Sequence, residues 1–323
     1  MNGFSGREGN EATSQEKFGM TPKEFRGQLG EDLWALVQGR RSPLATVTVL
    51  TSLPSASGQR ASFRLQFADG LVLKGRRFER GGHAERVENL SQFLDQRHFP
   101  RLLGRCGSAL LLEWIEGEPL SHAKWPLELL QACGALQGLV HSTPLPQEMG
   151  SQNQPAANNK KVRLERGIRA LVEYGAFNRL EGERLIDLAA AHTPGNPAVG
   201  LIHGDFCAEN MVLQAPGHVY VIDSEKLSID AYDYDLGRTW YRWPMTTVQR
   251  DAYYGGYNQH RSSADFMAHF VYWAIVVLVD SAAFRLRAGA GDVSVAIRQL
   301  ETLQGVEARS GIPSPPESFI KAT

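Results

Sequence analysis

Cysteine is scarce in this chain. Its three cysteines, Cys106, Cys133 and Cys207, lie far apart among 323 residues and show no C-x-x-C spacing. Such a set excludes a disulfide framework and a zinc ribbon and reads as reduced thiols. A surplus of charge is missing too. The formal net charge is −1, whereas nucleic-acid and membrane-surface binders usually carry a basic excess. Neither partner is expected. The first twenty residues, MNGFSGREGNEATSQEKFGM, are polar and glycine-rich. They contain no apolar segment of the kind a secretory signal needs, and a disordered tail is expected there. Long hydrophobic runs are absent as well. The longest, HFVYWAIVVLVDSAAF, is interrupted by Asp280 and falls short of the roughly 20 apolar residues that span a bilayer. No internal repeat is visible. A cytoplasmic enzyme or binding protein is the default.

Apolar residues make up 42% of the chain, enough for a sizeable core in one large or two ordinary domains. Phe25, Leu29, Leu33 and Val37 recur every four residues and predict a helix over 22–39. Then ATVTVLTSL, RASFRLQF and LVLKGRRF alternate like strands, separated by the turn-like PSASGQ and ADG. A helical segment with Val87, Leu90 and Leu94 follows, and then two more strand candidates, LLGRCG and ALLLEWIEG. From residue 126 onward the pattern is mainly helical, with SQNQPAANNKK as a polar loop. The expected organisation is a tail over 1–20, a β-rich unit over 21–116, a helical unit over 117–305 and a loose Pro/Ser-rich tail over 306–323.

One stretch interrupts the helices. LIHGDFCAENMVL is followed by the turn-like QAPGHV and by VYVIDSEK, residues 201–226. An apolar run ends in His203-Gly204-Asp205, an Asn follows five residues after the Asp, and a second apolar run delivers Asp223. Singly, these side chains are ordinary turn and strand-end residues. Together they suit a site that holds a metal and a phosphate.

The pattern H-G-D-x-x-x-x-N followed by I-D-x-E resembles the aminoglycoside phosphotransferase and choline kinase family. The resemblance implies an α+β, two-lobed, protein-kinase-like fold, with a small antiparallel β lobe carrying one helix and a larger, mainly helical lobe, over roughly residues 44–305. It also implies phosphoryl transfer, in which the protein supplies positioning and charge neutralisation. Asp205 fits the base that takes a proton from an attacking hydroxyl. Asn210 and Asp223 fit as oxygen ligands of Mg2+. His203 is implied as a structural anchor, Gly204 as the residue that lets the loop bend, and Glu225 as a further ligand or its support. Cys207 reads as a small filler. LLLEWIEGEPL looks like the interlobe hinge, where backbone groups of Glu113 to Ile115 would meet the adenine of ATP, or the base of GTP. ALQGLVHSTPLP looks like the family's helix ending in Leu-x-x-His. Lys74, on the third strand, stands where kinases carry the lysine for the α/β phosphates, with Glu85 or Glu88 as its carboxylate partner and Glu85 preferred.

Three departures matter. There is no G-x-G-x-x-G between the first strands, so the phosphate contacts fall to backbone amides and to the hydroxyls of Ser52, Ser55 or Ser57 in a reduced loop, of which Ser57 and Gly58 are the assigned pair. Cys207 occupies the position two residues after the base, where protein kinases place a lysine. Asp-Ser-Glu replaces D-F-G, and no A-P-E follows. These speak against a protein kinase. Downstream, Asp235 matches the acid that in the family braces the catalytic loop. Arg238 and Arg242, four apart, sit among Trp240, Tyr241 and Trp243. They allow a pocket for an anionic or sugar acceptor, an aromatic site for an amine, or plain helix packing. The expected activity is transfer of the γ-phosphoryl of ATP or GTP to a hydroxyl of a small molecule such as an aminoglycoside, amino alcohol or sugar. The alternative is a nucleotide-binding pseudokinase without turnover and, ranked behind it, a protein kinase.

Overall fold

The structure, a computed structural model, describes residues 21–55, 58–146, 149, 155–215, 218–288 and 293–307. Ser57, residues 216–217 of the expected turn, residues 1–20 and those beyond 307 lie outside them. The chain divides into two compact units, one of residues 1–89 and 100–114, the other of 90–99 and 115–323.

In the first unit, α1 (Pro22–Leu29) begins at Thr21, whose hydroxyl and the Glu24 carboxylate close a reciprocal cap. The single helix expected over 22–39 is instead two, because Gly30 takes φ +77° and ends α1 before α2 (Glu31–Gln38) starts. The four-residue spacing survives the break, and Phe25, Leu29, Leu33 and Val37 are all buried. They cover one face of an antiparallel sheet of β1 (Leu44–Ser55), β2 (Gly58–Phe67), β3 (Val72–Arg77), β4 (Leu102–Cys106) and β5 (Ala109–Glu113), in the order β1-β2-β3-β5-β4. Phe63, Leu65, Leu73 and Leu111 fill that side, each such burial stabilising by roughly 1.5–3 kcal/mol. Strand alternation sends Ser62, Arg64, Lys74 and Arg76 to the other face, with Arg64 opposite Lys74 and Ser62 opposite Arg76. There α3 (Gly81–Ser91) packs Ala84 and Val87 against Phe78 and Leu110.

The second unit continues with β6 (Glu118–Pro119) and α4 (Leu127–His141). Next come α5 (Pro155–Glu173) and α6 (Arg179–Ala191). Residues 155–161, expected as loop, are thus the first turns of a helix. Short strands β7 (Val199–Ile202), β8 (Met211–Ala215), β9 (His218–Val221) and β10 (Ser228–Ala231) carry the polar motif between them. β10 pairs with β7, and β8 lies between β6 and β9. The chain closes with α7 (Tyr232–Arg242), α8 (Thr247–Tyr257), α9 (Ala264–Ala268), α10 (Phe270–Ala288) and α11 (Ser294–Glu307). The longest apolar run forms α10, whose Trp273, Ile275, Leu278 and Val279 are buried among α5, α6 and α11. Its interrupting Asp280 accepts from Arg163 and from the Tyr234 hydroxyl, each at 3.1 Å. Among the described residues no helix is long and apolar enough to cross a membrane.

One helix pair sets the geometry of the site. α4 and α8 cross at glycines, where a Cβ on Gly138 would lie 2.7 Å from the Tyr257 carbonyl, and Gly134 and Gly256 face backbone more closely still. At these three glycines the space a Cβ would need is taken by backbone of the partner helix. This closeness lets side chains of α8 reach buried polar groups of α4.

Candidate active site

The loop after β7 is fastened from below. Asp235, in the first turn of α7, is fully buried and accepts four hydrogen bonds. Its Oδ2 takes the backbone N–H of His203 at 3.1 Å and its Oδ1 that of Gly204 at 2.8 Å. Oδ2 also takes the amide of Gln137 at 3.2 Å and His141 Nε2 at 3.0 Å. Tyr257 donates to His141 Nδ1 at 2.9 Å, and Tyr253 donates to the Gln137 carbonyl oxygen at 2.7 Å. Complete burial keeps His141 neutral, its pKa lowered despite the neighbouring carboxylate. Burial alone would raise the Asp235 pKa, but the hydrogen bond from His141 and its other donors hold it below the usual range. Thr239, one turn further along α7, donates to the Phe206 carbonyl at 2.9 Å. Gln137 and His141 share one helix face at four-residue spacing. In an otherwise apolar pattern, that pair was the available sign of a buried polar network. His141 was singled out by resemblance, Gln137 was not.

Gly204 allows the bend. It adopts φ +77°, and a Cβ there would meet the Lys226 carbonyl oxygen at 2.7 Å. The chain then presents Asp205, whose side chain is 12% exposed. Both its oxygens are engaged: Lys226 Nζ donates to Oδ2 and Arg238 Nη2 to Oδ1, each at 2.8 Å. Burial acts to raise its pKa, but the charges of Lys226, Arg238 and Arg242 outweigh it and hold the carboxyl well below the ordinary range. Asp205 is ionised at neutral pH.

Asn210 lies at the end of a 3₁₀ turn, and its Nδ2 donates to the Asp205 carbonyl at 2.8 Å. That bond commits the amide nitrogen to the loop and leaves Oδ1 as the free acceptor. The Ile222 N–H donates to the Asn210 carbonyl at 2.8 Å, which ties the strand end carrying Asp223 to the same loop. Asp205, Asp223 and Asp235 all act on the ring of His203, which is buried between Phe99 and Phe206. Asp205 and Asn210 thus belong to one bonded loop, and the strand end that carries Asp223 is tied to it by backbone. Among the described residues no group of three or more His, Cys, Asp or Glu side chains is arranged to hold a metal. An Asn amide oxygen and one carboxylate nevertheless fit Mg2+, which accepts few protein ligands when phosphate oxygens and water complete its shell. Burial pushes the Cys207 thiol up to about 12, so it is no nucleophile.

Arg238 and Arg242 part company with the aromatic residues around them. Trp243 is buried against Trp125 and Tyr253, and Trp240 packs edge-on to Phe270. The aromatics are core, while both arginines turn towards the Asp205 loop. Lys226, which the sequence did not single out, joins them from three residues beyond Asp223.

In the first unit, Lys74 is half-buried on the sheet face that carries Arg64 and Arg76. Arg76 is buried, bonded to Ser62 and stacked over Phe78. Glu85 is exposed on α3, whereas Glu88 pairs with Arg105 at 2.5 Å. Gly58 opens β2, and Glu113 closes β5 with its carboxylate on Arg101 at 3.2 Å. Ile115, half-buried, begins the second unit's main segment.

Comparison with known proteins defines the class. The chain shares its fold with a macrolide 2'-phosphotransferase type I at TM-score 0.60 and 15% identity, over 87% of this chain and 98% of that one. It shares it also with a spectinomycin phosphotransferase solved with ADP and spectinomycin, at TM-score 0.59 and 11% identity over 87% and 98% of the two chains. A third is the choline kinase LicA of Streptococcus pneumoniae, at TM-score 0.57 and 12% identity over 80% and 94%. The fold is that of the kinase-like phosphotransferases. A family profile described as the phosphotransferase enzyme family matches residues 54–267, well over half of the chain, and the chain belongs to that family. No curated protein matches the sequence.

Proposed function

We propose that this protein transfers the γ-phosphoryl group of ATP, or GTP, to a hydroxyl of a small molecule, with Asp205 as the base. The observation that carries this is the presentation of Asp205: an ionised carboxylate at the tip of a loop whose backbone is fastened by Asp235. The acceptor oxygen would attack the γ-phosphorus as the bond to the β-phosphate oxygen breaks. The nucleoside diphosphate then leaves, and the hydroxyl proton passes to the Asp205 carboxylate. Asn210 and Asp223 would hold Mg2+, which neutralises charge on the phosphates. Lys74, supported by Glu85, would take the α/β phosphates, with Gly58 and Ser57 over them. The backbone from Glu113 to Ile115 would meet the base. Solved relatives with bound ADP support the choice of donor.

One observation favours a second reading, a nucleotide-binding protein without turnover. Both Asp205 oxygens are occupied by cations, and an acceptor hydroxyl needs one of them. Formation of ADP from Mg-ATP, measured with amino sugars, amino alcohols, sugars and hydroxy acids, separates the two. Asp205→Asn is expected to lower kcat by about 10²–10⁴-fold in a protein that still folds. Wild-type turnover in that variant would remove Asp205 from the role of base.

A further inference from the structure

The acceptor side of the Asp205 loop is cationic. Lys226, Arg238 and Arg242 act together on Asp205. Among the described residues Glu209 is the further carboxylate that pairs with one of them, 3.5 Å from Arg242. The three cations thus pair directly with two carboxylates. The three are held differently. The Arg238 side chain is 13% exposed, and its Nε has no hydrogen-bond partner among the described residues. Arg242 is 31% exposed, and its contacts, 3.5 Å to Glu209 and 3.8 Å to the Cys207 sulfur, lie at the limit of hydrogen bonding. Lys226 is 38% exposed. Arg238 is therefore a fixed partner of Asp205, whereas Lys226 and Arg242 can turn to something else.

An acceptor hydroxyl has to reach an Asp205 oxygen that already holds a cation, and the more exposed Lys226 is the one able to swing aside. An ammonium released beside two guanidiniums needs a new counter-charge. A positively charged acceptor would supply the opposite and meet all three cations. Resting on the reading of Asp205 as base, we infer that the acceptor hydroxyl compound itself carries an anionic group, a carboxylate or a phosphate, bound by Lys226 and Arg242. Arg238 then stays on Asp205 and positions it. The cation missing two residues after the base, where Cys207 stands, is supplied here by a lysine from the segment after Asp223.

A matched series of three-carbon hydroxyl compounds tests this: glycerate, glycerol 3-phosphate, neutral glycerol and the cationic 3-amino-1,2-propanediol. Binding to the full chain with Mg-AMP-PNP is followed by ligand-observed NMR, and ADP formation from Mg-ATP is followed in parallel. One or both anions are expected to bind at least about tenfold tighter than the neutral and cationic members, and the better of them shows which headgroup fits. Arg242→Gln is expected to abolish that preference without changing the affinity for AMP-PNP, and Lys226→Gln serves if the first variant does not fold. Asp205→Asn, which frees Lys226 and Arg238, is expected to tighten anion binding while stopping ADP formation. Equal binding of all four compounds, or preference for the amine, overturns the inference and leaves phosphoryl transfer standing. An Arg242→Gln variant that loses AMP-PNP but keeps the anion preference assigns the cations to the nucleotide and overturns it as well. Anion preference together with acceptor-independent, Asp205-independent ADP formation defeats Asp205 as base while the anion site remains.

Discussion

Asp235 and Asp205 lie close together in the second unit and are treated in opposite ways. Asp235 is sealed and receives two backbone N–H groups, an amide and a neutral imidazole. Asp205 is buried less completely, its side chain 12% exposed, and receives two cations. Neutral, oriented donors fix a carboxylate's geometry and with it the backbone that supplies them. Cations fix its charge, and the more exposed of the two, Lys226, can be exchanged. The first arrangement suits a brace, the second a group that must change partners during a reaction cycle. Two carboxylates whose proton affinity is shifted in the same direction thus have different structural meaning, and that direction alone does not tell them apart.

The comparison can be broken most directly at Asp235. Asp235→Ala leaves two backbone N–H groups, Gln137 and His141 without their acceptor in a sealed site. Chemical denaturation is expected to show a loss of about 3–5 kcal/mol, with turnover falling as the loop loosens. Asp205→Asn should reverse the pattern, with a stability change under about 2 kcal/mol and a far larger effect on turnover. If both variants lose stability equally, the distinction between brace and base collapses.

Next in size is Gly204→Ala. It forces a side chain into the left-handed region against the Lys226 carbonyl, and a cost of about 2–3 kcal/mol is expected. Because Lys226 must shift, the variant's KM for the acceptor should rise along with a fall in thermal midpoint. An unaltered KM would mean that the Lys226 segment does not shape acceptor binding.

The smallest effect sharpens the comparison with a third carboxylate. Asp233 stands two residues before Asp235 on the same helix, yet burial and the neighbouring carboxylate of Asp265, only partly offset by Arg261 and His269, push it up to about 6. A carboxyl whose pKa is raised on folding binds its proton more tightly in the native state. Its contribution to stability therefore falls as pH climbs from 3.8 to about 6 and stays lost above that. Asp233→Asn should stabilise the protein by up to about 2 kcal/mol at pH 7.5 and by nothing near pH 4, as measured by denaturation at both. A gain of equal size at the two pH values would point to packing instead of charge.

Much of this was legible in the residues. His203-Gly204-Asp205, Asn210 and Asp223 announced themselves because polar side chains ended apolar runs, and they do share one loop system. The strand pattern of the first unit was readable from period-two alternation, and Lys74 does stand opposite Arg64 on β3. Gly30 was missed because a four-residue apolar spacing can run through a break when the second helix resumes on the same face. Residues 155–161 read as loop because a helix whose first turns are polar shows no period. Gln137 and Lys226 were missed for a different reason. Their partners, Asp235 and Asp205, lie 98 and 21 residues away along the chain, and a side chain that works across such distances leaves no local pattern. For Arg238 and Arg242 composition alone could not choose between packing and site. The split, aromatics inward and guanidiniums towards Asp205, is a property of the helix's orientation.

The crossing of α4 and α8 has a consequence for how this protein tolerates change. With no Cβ at Gly134, Gly138 and Gly256, the two helices sit close enough for the hydroxyls of Tyr253 and Tyr257 to reach Gln137 and His141. A single methyl group there would act as a spacer. It would slacken a relay running from tyrosine through amide and imidazole to Asp235, and so unsettle the Asp205 loop without touching it. The site's most vulnerable positions therefore include residues that carry no chemistry at all.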